Sequence, residues 1–477
     1  KQFHAEMYEG DKTFVKEVQQ LFCPVCKQYL PDRYVEGTCP HCKEHAKGDS
    51  CDHCGKMLEP EELIEPKCKL CGATPEMRDT KQMYLKLSAL QNDIQKNVDE
   101  KSKYWTNNAV GMTGKYLTEG LIDRAITRNI SWGVDLPEST EKLLGDLTDK
   151  KIYIWAENVL GYASATKEVK NNWAEFLLDG ETDNINPDAT PTTGTIGTDT
   201  ANPEITKLQN KALKNSPAKQ STPNPKVTRL HYYVHAKDNI PFHSVILPGL
   251  LLANEKHHWH LPDRIIASEY ITMNGKKISK SDGNYITARE MIDSFEPDYL
   301  RYYFLRNVND KKDANFSFAD FVATINGELV DNFGNLVNRT LAFIKSKFDN
   351  NIPKNAVSKT VAHNITATTE SVGENIEHGY CNKALQTIME LVSFGNKHFN
   401  DEEPWATLKT DRKKAEETIA DCVEIIVTSC KLLKHFTPQS AEKVLKWLTG
   451  DRLGEIDILY KKLDLKEIEK QNGNNGN

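Results

Sequence analysis

Apolar side chains recur every three to four residues through long stretches of this chain, and in a few places they run together instead. Leu87, Leu90 and Ile94 share one stripe, and residues 81 to about 131 are mostly helical in pattern. Residues 1–18 read as a short helical piece. The run Lys151-Ile-Tyr-Ile-Trp155 reads as a buried strand, and Arg229-Leu-His-Tyr-Tyr-Val-His235 as a second, leading into a turn and a helix over 241–254. Ile265-Ile-Ala-Ser-Glu-Tyr-Ile-Thr272 reads as a third. Strands alternating with helices predict a parallel α/β sheet, whose ligands lie beyond the strand C-termini. From about residue 320 the pattern is helical almost throughout, with breaks near 351–355 and 401–404, which predicts an all-α bundle.

Composition changes this picture little. The 477 residues suffice for about two to four domains with proper cores. A hydrophobic fraction of 38% with 27% charged residues suits a soluble cytoplasmic protein. No apolar run approaches the roughly 20 residues that span a bilayer, so no membrane partner is expected. No secretory signal opens the chain. The net charge of −7 argues against non-specific coating of nucleic acid but leaves local basic surfaces open. Residues 180–225 are rich in Thr, Asn, Pro, Ala and Lys and poor in large apolar side chains, so they are expected to be disordered. The tail 471–477 is polar and expected to fray.

The cysteines add chemistry. Eight of the eleven form four C-x-x-C pairs, Cys23/Cys26, Cys39/Cys42, Cys51/Cys54 and Cys68/Cys71, with prolines and glycines among them. Each pair can supply two thiolates, so four pairs make two tetrahedral four-cysteine zinc sites, closed and therefore structural. A disulfide framework is the alternative, disfavoured for an intracellular chain. Spacing alone leaves the pairing open between sequential and nested. Cys381, Cys422 and Cys430 fall in apolar helical stretches and read as buried thiols.

The most specific segment is Lys277-Ile-Ser-Lys-Ser281, within Tyr270-Ile-Thr-Met-Asn-Gly-Lys-Lys-Ile-Ser-Lys-Ser-Asp-Gly-Asn284. Two lysines in a loop flanked by Gly275 and Gly283 can close over a polyphosphate and stabilise charge on a departing pyrophosphate. A solvated basic turn is the plain alternative. The loop resembles the KMSKS motif of class I aminoacyl-tRNA synthetases, with Ile278 in the Met position. Four further segments occur in order: Tyr29-Leu-Pro-Asp-Arg-Tyr-Val-Glu-Gly-Thr38, Ala125-Ile-Thr-Arg-Asn129, Tyr153-Ile-Trp-Ala-Glu157 and Ala236-Lys-Asp-Asn-Ile-Pro-Phe-His-Ser244. With them the chain closely resembles the methionyl-tRNA synthetases from about residue 3 to about residue 448, apart from the low-complexity stretch.

That resemblance implies a fold: the second half of a Rossmann-like catalytic domain with a zinc-knuckle insertion, followed by a helical anticodon-binding bundle. It implies ATP-dependent activation of L-methionine, with ATP and Mg2+ as substrate, and transfer to tRNA(Met). Lys277, Ser279, Lys280 and Ser281 would bind ATP, with Lys277 and Lys280 catalytic, and Asp238 would hold the ribose. Asp238 read without the family is a helix N-cap. Arg128 matches an arginine near the active site and would be catalytic with the two lysines; otherwise it is a solvated helix-end residue. Trp155, Asn158, Val159, Tyr162, Asn239, Phe242 and His243 would belong to the methionine pocket. Without the family, Trp155 and Phe242 read as core. Asn158-Val159 stands where many relatives have Ala-Pro, a polar change beside an apolar pocket. Asn335, Arg339, Pro404 and Trp405 would read the anticodon, Trp405 by stacking and Asn335 and Arg339 as donors on one helical face. The resemblance also favours nested zinc sites, Cys39, Cys42, Cys51 and Cys54 inside Cys23, Cys26, Cys68 and Cys71.

The expected division is a connective insertion over 1–150 with knuckles at 19–75, the catalytic half over 151–265, the lysine-loop region over 266–318 and the bundle over 319–470. No H-x-G-H motif occurs, and Lys1 is not a start methionine, so the chain is expected to be truncated and inactive alone. A monomer is expected. The rival readings are a non-catalytic tRNA-binding or regulatory protein, and a class I synthetase for another amino acid such as cysteine or leucine.

Overall fold

The computed structural model describes residues 1–473 apart from 50, 52, 55, 57, 171, 180–228 and 280–282. The expectation of disorder over 180–225 therefore lies outside the described residues, as does the end of the tail. The chain forms two compact units, each discontinuous in sequence.

The first unit comprises Lys1–Lys96, Gly120–His231 and Val245–Asp263. Its main feature is a long antiparallel pair, Thr13–Cys23 against Glu76–Leu85, in register from Thr13 opposite Leu85 to Phe22 opposite Glu76. This corrects the helical reading of residues 1–18, because the helix Gln2–Tyr8 stops and the chain turns into a strand. Phe14, Val15 and Val18 favour the pleated conformation, and pairing sixty residues away overrides local helix propensity. A second, smaller antiparallel sheet sets Val35–Thr38 between His45–Lys47 and Ile64–Cys68. Gly48 lies against it so closely that a Cβ would meet the Asp32 carbonyl oxygen at 2.2 Å, so no other residue fits without movement. The expected stripe is present: Leu87, Leu90 and Ile94 are buried in the helix Leu87–Lys101. The expected strand at 151–155 is shorter, Lys150–Ile152, and Ile154 and Trp155 already belong to a helical turn, Ile154–Asn158.

The second unit comprises Asn97–Glu119, Tyr232–Ser244 and Arg264–Asn477. Tyr232–Ala236 and Arg264–Ser268 pair in parallel, as the alternating pattern predicts. The strand expected over 265–272 is broken after Ser268. Its continuation, Ile271–Met273, joins a different sheet, with Lys276–Lys277 on one side and Ala314–Phe316 on the other. Helices Ala288–Ser294 and Pro297–Asn307 follow the lysine loop.

Beyond them a helical bundle includes Asn335–Lys347, Lys359–Glu377, Cys381–Asp401, Arg412–Leu433 and Pro438–Trp447. The helix Cys381–Asp401 shows why it folds: Ala384, Leu385, Ile388, Leu391, Val392, Gly395 and Phe399 return at spacings of three and four and are buried. Cys422 and Cys430 are buried in it as expected, while Cys381 is only partly so. The break expected near 351–355 is a non-helical connection between Lys347 and Lys359.

Candidate functional site

Four constellations carry the chemistry expected of the sequence. The first is the cysteine module. Cys23, Cys26, Cys68 and Cys71 converge in one cluster and Cys39, Cys42, Cys51 and Cys54 in another, so the pairing is nested. Within each cluster all four sulfurs lie within 4.8 Å of one another. The closest pairs are 3.5 Å for Cys23 and Cys71, 3.9 Å for Cys26 and Cys68, 3.5 Å for Cys42 and Cys51, and 3.9 Å for Cys39 and Cys54. A disulfide would bring two sulfurs to about 2.05 Å. A tetrahedron of thiolates at about 2.3 Å from a metal has edges near 3.8 Å, so the donor sets fit a four-coordinate ion such as zinc.

Their proton affinities fit it too. The backbone N–H of Cys26 donates to the Cys23 sulfur and draws that thiol down to about 7. Its neighbour Cys26 is pushed up to about 12, first by its hydrogen bond to Cys71 and then by burial. Four crowded thiols cannot all ionise unless a cation sits among them. Lys27 and Lys43, which follow the second cysteine of two pairs, take left-handed backbone at φ 54° and 66°, and Gly72 does so after Cys71 at φ 70°. The repeated C-x-x-C followed by Lys or Gly thus encodes one tight knuckle several times.

The second constellation surrounds Arg128. It is no solvated helix end: it sits in the short strand Thr127–Asn129 and is buried. Its Nε donates to Asp32 Oδ2 at 2.9 Å and its Nη2 to Asp32 Oδ1 at 3.1 Å, a two-pronged ion pair. Nη1 donates to the carbonyls of Ala125 and Thr127, and the guanidinium lies 3.9 Å from the centre of the Tyr153 ring. Burial works against its charge, but Asp32 outweighs it and the pKa is raised. Asp32, at φ 51°, takes a left-handed conformation that aspartate tolerates better than most residues. In the same unit Trp155 is half-buried, Val159 is buried, and Asn158 and Tyr162 are exposed.

The third lies in the second unit. The parallel strand Tyr232–Ala236 ends in a tight turn, Lys237–Asn239, that carries Asp238 into solvent. The N-cap of that turn is Ala236, so Asp238 does not cap it; its Oδ1 accepts from Asn239 Nδ2 at 3.3 Å. Phe242 is half-buried at the start of a π-helical turn, Phe242–Ile246. His243 is buried, stacked on His235 at 4.3 Å between ring centres, and donates from Nδ1 to the Asn239 carbonyl at 3.0 Å. Burial depresses its pKa to about 4, so the ring is neutral near pH 7.

Lys277 closes the hairpin Ile271–Met273 and Lys276–Lys277 and is exposed. Ser279 and Asn284 exchange backbone hydrogen bonds of 3.0 and 3.1 Å across the neck of the loop, and Asn284 Nδ2 donates to the Lys277 carbonyl at 2.9 Å. Lys280 and Ser281 lie outside the described residues. Ile278 borders an apolar cavity of about 670 Å3 with Met273, Met291, Leu300 and Phe304.

The fourth is on the bundle. Asn335 Nδ2 donates to Asn396 Oδ1 at 3.0 Å, and Arg339 Nη2 to Asn400 Oδ1 at 2.6 Å. The Arg339 guanidinium also lies 4.4 Å from the Phe399 ring centre, and Phe399 is 5.9 Å from Trp405. Trp405 is 44% exposed, whereas Pro404 beside it is buried. Glu403, at φ 41°, turns the chain sharply ahead of that short helix. Asn335, Arg339, Pro404 and Trp405 are thus brought to one region, with an exposed ring beside amides and a guanidinium. Asn396, Phe399 and Asn400 were not expected there. Their sequence signal is the four-residue spacing of Asn396 and Asn400 on one helix, which repeats that of Asn335 and Arg339 on the other.

Known proteins resemble this chain throughout. Residues 1–187 and 216–341 match the family model described as tRNA synthetases class I (M), and residues 353–462 match that of the anticodon binding domain of methionyl tRNA ligase. A methionine-tRNA ligase of Alkaliphilus oremlandii is 36% identical over 98% of this chain and 79% of its own length. One of Bacillus mycoides is 35% identical over 98% and 78%. Among solved structures, Mycobacterium tuberculosis methionyl-tRNA synthetase in complex with methionyl-adenylate superposes with a TM-score of 0.65 at 18% identity, covering 96% of this chain and 79% of that one.

Proposed function

Since the chain belongs to the methionine-tRNA ligase family of class I tRNA synthetases, we propose that its separate constellations divide the family's two-step reaction among them. The reaction is the ATP-dependent joining of L-methionine to tRNA. A methionine carboxylate oxygen attacks the α-phosphorus of ATP, pyrophosphate leaves, and a ribose hydroxyl of the tRNA then takes the aminoacyl group from AMP. Most of the catalysis is alignment and stabilisation of charge rather than covalent chemistry by the protein.

Lys277, Ser279, Lys280 and Ser281 bind the triphosphate of Mg2+-bound ATP, the two lysines stabilising charge on the departing pyrophosphate. Asp238 accepts from the ribose hydroxyls, a role suited to a solvent-facing carboxylate at the end of a parallel strand. Trp155, Asn158, Val159, Tyr162, Asn239, Phe242 and His243 serve methionine binding, each by its match to the family. Neutral His243 and the aromatic rings suit a thioether. Arg128 is given a catalytic part by its match to the family, with Asp32 and Tyr153 fixing its guanidinium. Trp405 stacks on an anticodon base, while Asn335, Arg339 and the rigid Pro404 turn present its surroundings. The two four-cysteine sites hold structural zinc. The protein works in the cytoplasm as a monomer, and no helix among the described residues is long and apolar enough to cross a membrane.

The observation that supports this reading best is the Trp405 ring, 44% exposed and packed on Phe399, with Arg339 over the same Phe399 and bonded to Asn400. Base stacking on an aromatic ring is worth about 1–3 kcal/mol, so Trp405→Ala should cut tRNA charging roughly 10- to 100-fold in kcat/KM. Methionine-dependent ATP–pyrophosphate exchange should be unchanged in the same variant. Equal loss in both assays would overturn the assignment.

A further inference from the structure

Lys237 stands next to Asp238, and its side chain is held from two directions. Nζ donates to Glu269 Oε2 at 2.6 Å and to Asp313 Oδ1 at 2.7 Å, and lies 4.6 Å from the centre of the Tyr270 ring. Neither carboxylate is a casual surface partner. Glu269 follows the parallel strand Arg264–Ser268; its other oxygen accepts from Asn108 Nδ2 at 3.0 Å, and its backbone N–H donates to the Asn309 carbonyl. Asp313 precedes the strand Ala314–Phe316 and also accepts from the backbone N–H of Tyr270 at 2.9 Å. Partial burial opposes the Lys237 charge, but the bonds to Asp313 and Glu269 outweigh it and its pKa is raised. The same contact holds the Asp313 carboxyl below the usual range.

The residues that anchor Lys237 are those that lead into the lysine loop. Tyr270 precedes Ile271–Met273, which pairs with Ala314–Phe316 on one side and Lys276–Lys277 on the other. One ammonium therefore ties the turn bearing Asp238 to both strands that set the base of the Lys277 hairpin. A neutral side chain at 237 would leave two carboxylates facing each other beside that turn, with repulsion where there is now a bridge.

We infer that Lys237, through Glu269 and Asp313, is a positioning residue that fixes the separation between the ribose-binding Asp238 and the hairpin bearing Lys277, so that one ATP molecule spans both. This rests on the assignment of Asp238 and Lys277 to ATP. It makes Lys237 a determinant of ATP alignment, with no direct contact to the reacting atoms.

The test is ATP–pyrophosphate exchange by the full-length enzyme, varying ATP and methionine separately, with Lys237→Met, Lys237→Arg, Asp313→Asn and Asp238→Ala in parallel. Misplacing reacting groups by about an ångström costs on the order of 100-fold, so Lys237→Met should lower kcat/KM for ATP about 100-fold and leave the KM for methionine unchanged. Lys237→Arg, which keeps the charge, should recover most of the loss. Asp313→Asn, which removes one of two anchors without changing shape, should fall between them and covers the case in which Lys237→Met does not fold. If Asp238→Ala is crippled while Lys237→Met and Asp313→Asn keep wild-type ATP kinetics, the positioning role is overturned and the ATP assignment stands. A loss that vanishes once rates are normalised to the folded fraction, given by the melting curve, also overturns it. If Asp238→Ala exchanges like wild type, the ATP assignment itself falls, whatever Lys237→Met does.

Discussion

The cysteine module buries Leu21, Leu30, Val35, Ala46, Leu58 and Leu63 around Cys23, Cys39, Cys51 and Cys68, so four of the ten residues of its small core are cysteines of the two clusters. The helical bundle packs Leu385, Ile388, Val392, Ile425, Leu433 and many other apolar side chains into one continuous core. Apolar burial scales with the number of such side chains, at about 1.5–3 kcal/mol each, and a module this small cannot gather enough of them. On the proposed zinc reading its order would rest on metal–sulfur bonds, whereas the bundle's rests on packing. The two regions thus declare themselves by different sequence signals: four C-x-x-C pairs in one, a three-and-four stripe in the other.

The comparison breaks first under metal removal. Binding free energies of structural zinc sites are about 10–16 kcal/mol, more than the module's apolar core can replace. A strong chelator should therefore abolish hydrogen-exchange protection over residues 19–75 while bundle amides keep theirs. Persistent protection of 19–75 in metal-free protein would reverse this account. Next in size, Leu385→Ala removes a fully buried side chain from the bundle and should cost about 2–5 kcal/mol, with metal content unchanged. An unchanged melting temperature would show that packing does not dominate there.

Smaller effects sharpen the contrast. Ser358 caps the helix Lys359–Glu377 by accepting from the Val361 N–H, and Ser358→Ala should cost about 1 kcal/mol, read from urea melts. Smallest is an ion-pair contribution in the first unit. His260 donates from both ring nitrogens at 2.7 Å, to Asp179 and to Asp263, which requires the imidazolium. Those bonds, Asp263's first, raise its pKa above 6.5 despite burial. A raised folded-state pKa means the stabilisation is fully present below about pH 6.5 and is lost as pH rises through the higher folded value. Thermal melts of His260→Gln should lose this slope; an unchanged pH profile would remove His260 from the account.

Much of this was legible because it is local. Helical stripes such as Leu87, Leu90 and Ile94 report their own burial, and the C-x-x-C pairs report their own chemistry. The lysine loop, the Ala-Lys-Asp turn and the Trp405 region declare themselves as continuous segments. What could not be read depends on distant partners. The strand Thr13–Cys23 is fixed by pairing with residues 76–85, and local pattern alone suggested a helix. Arg128 finds Asp32, 96 residues earlier, and Lys237 finds Asp313, 76 residues later. The third expected strand failed at Glu269 and Tyr270, where backbone N–H groups bond to the Asn309 carbonyl and the Asp313 carboxylate instead of continuing one ladder.

The nesting of the cysteine clusters makes their costs of closure unequal. Cys42 and Cys51 are 9 residues apart in sequence, while Cys26 and Cys68 are 42 apart. Closing the longer loop from an open chain costs about 1.4 kcal/mol more in entropy, since the cost grows as the logarithm of loop length. Once the inner four sulfurs are gathered, the same outer ends are joined by a shorter free contour, and that difference shrinks. The inner cluster is therefore the cheaper of the two to close from an open chain, and closing it lowers the entropy cost of the outer one. Damage runs in the same sense: losing an outer cysteine leaves a closed inner loop behind, whereas losing an inner one leaves the outer pairs to meet across an open chain.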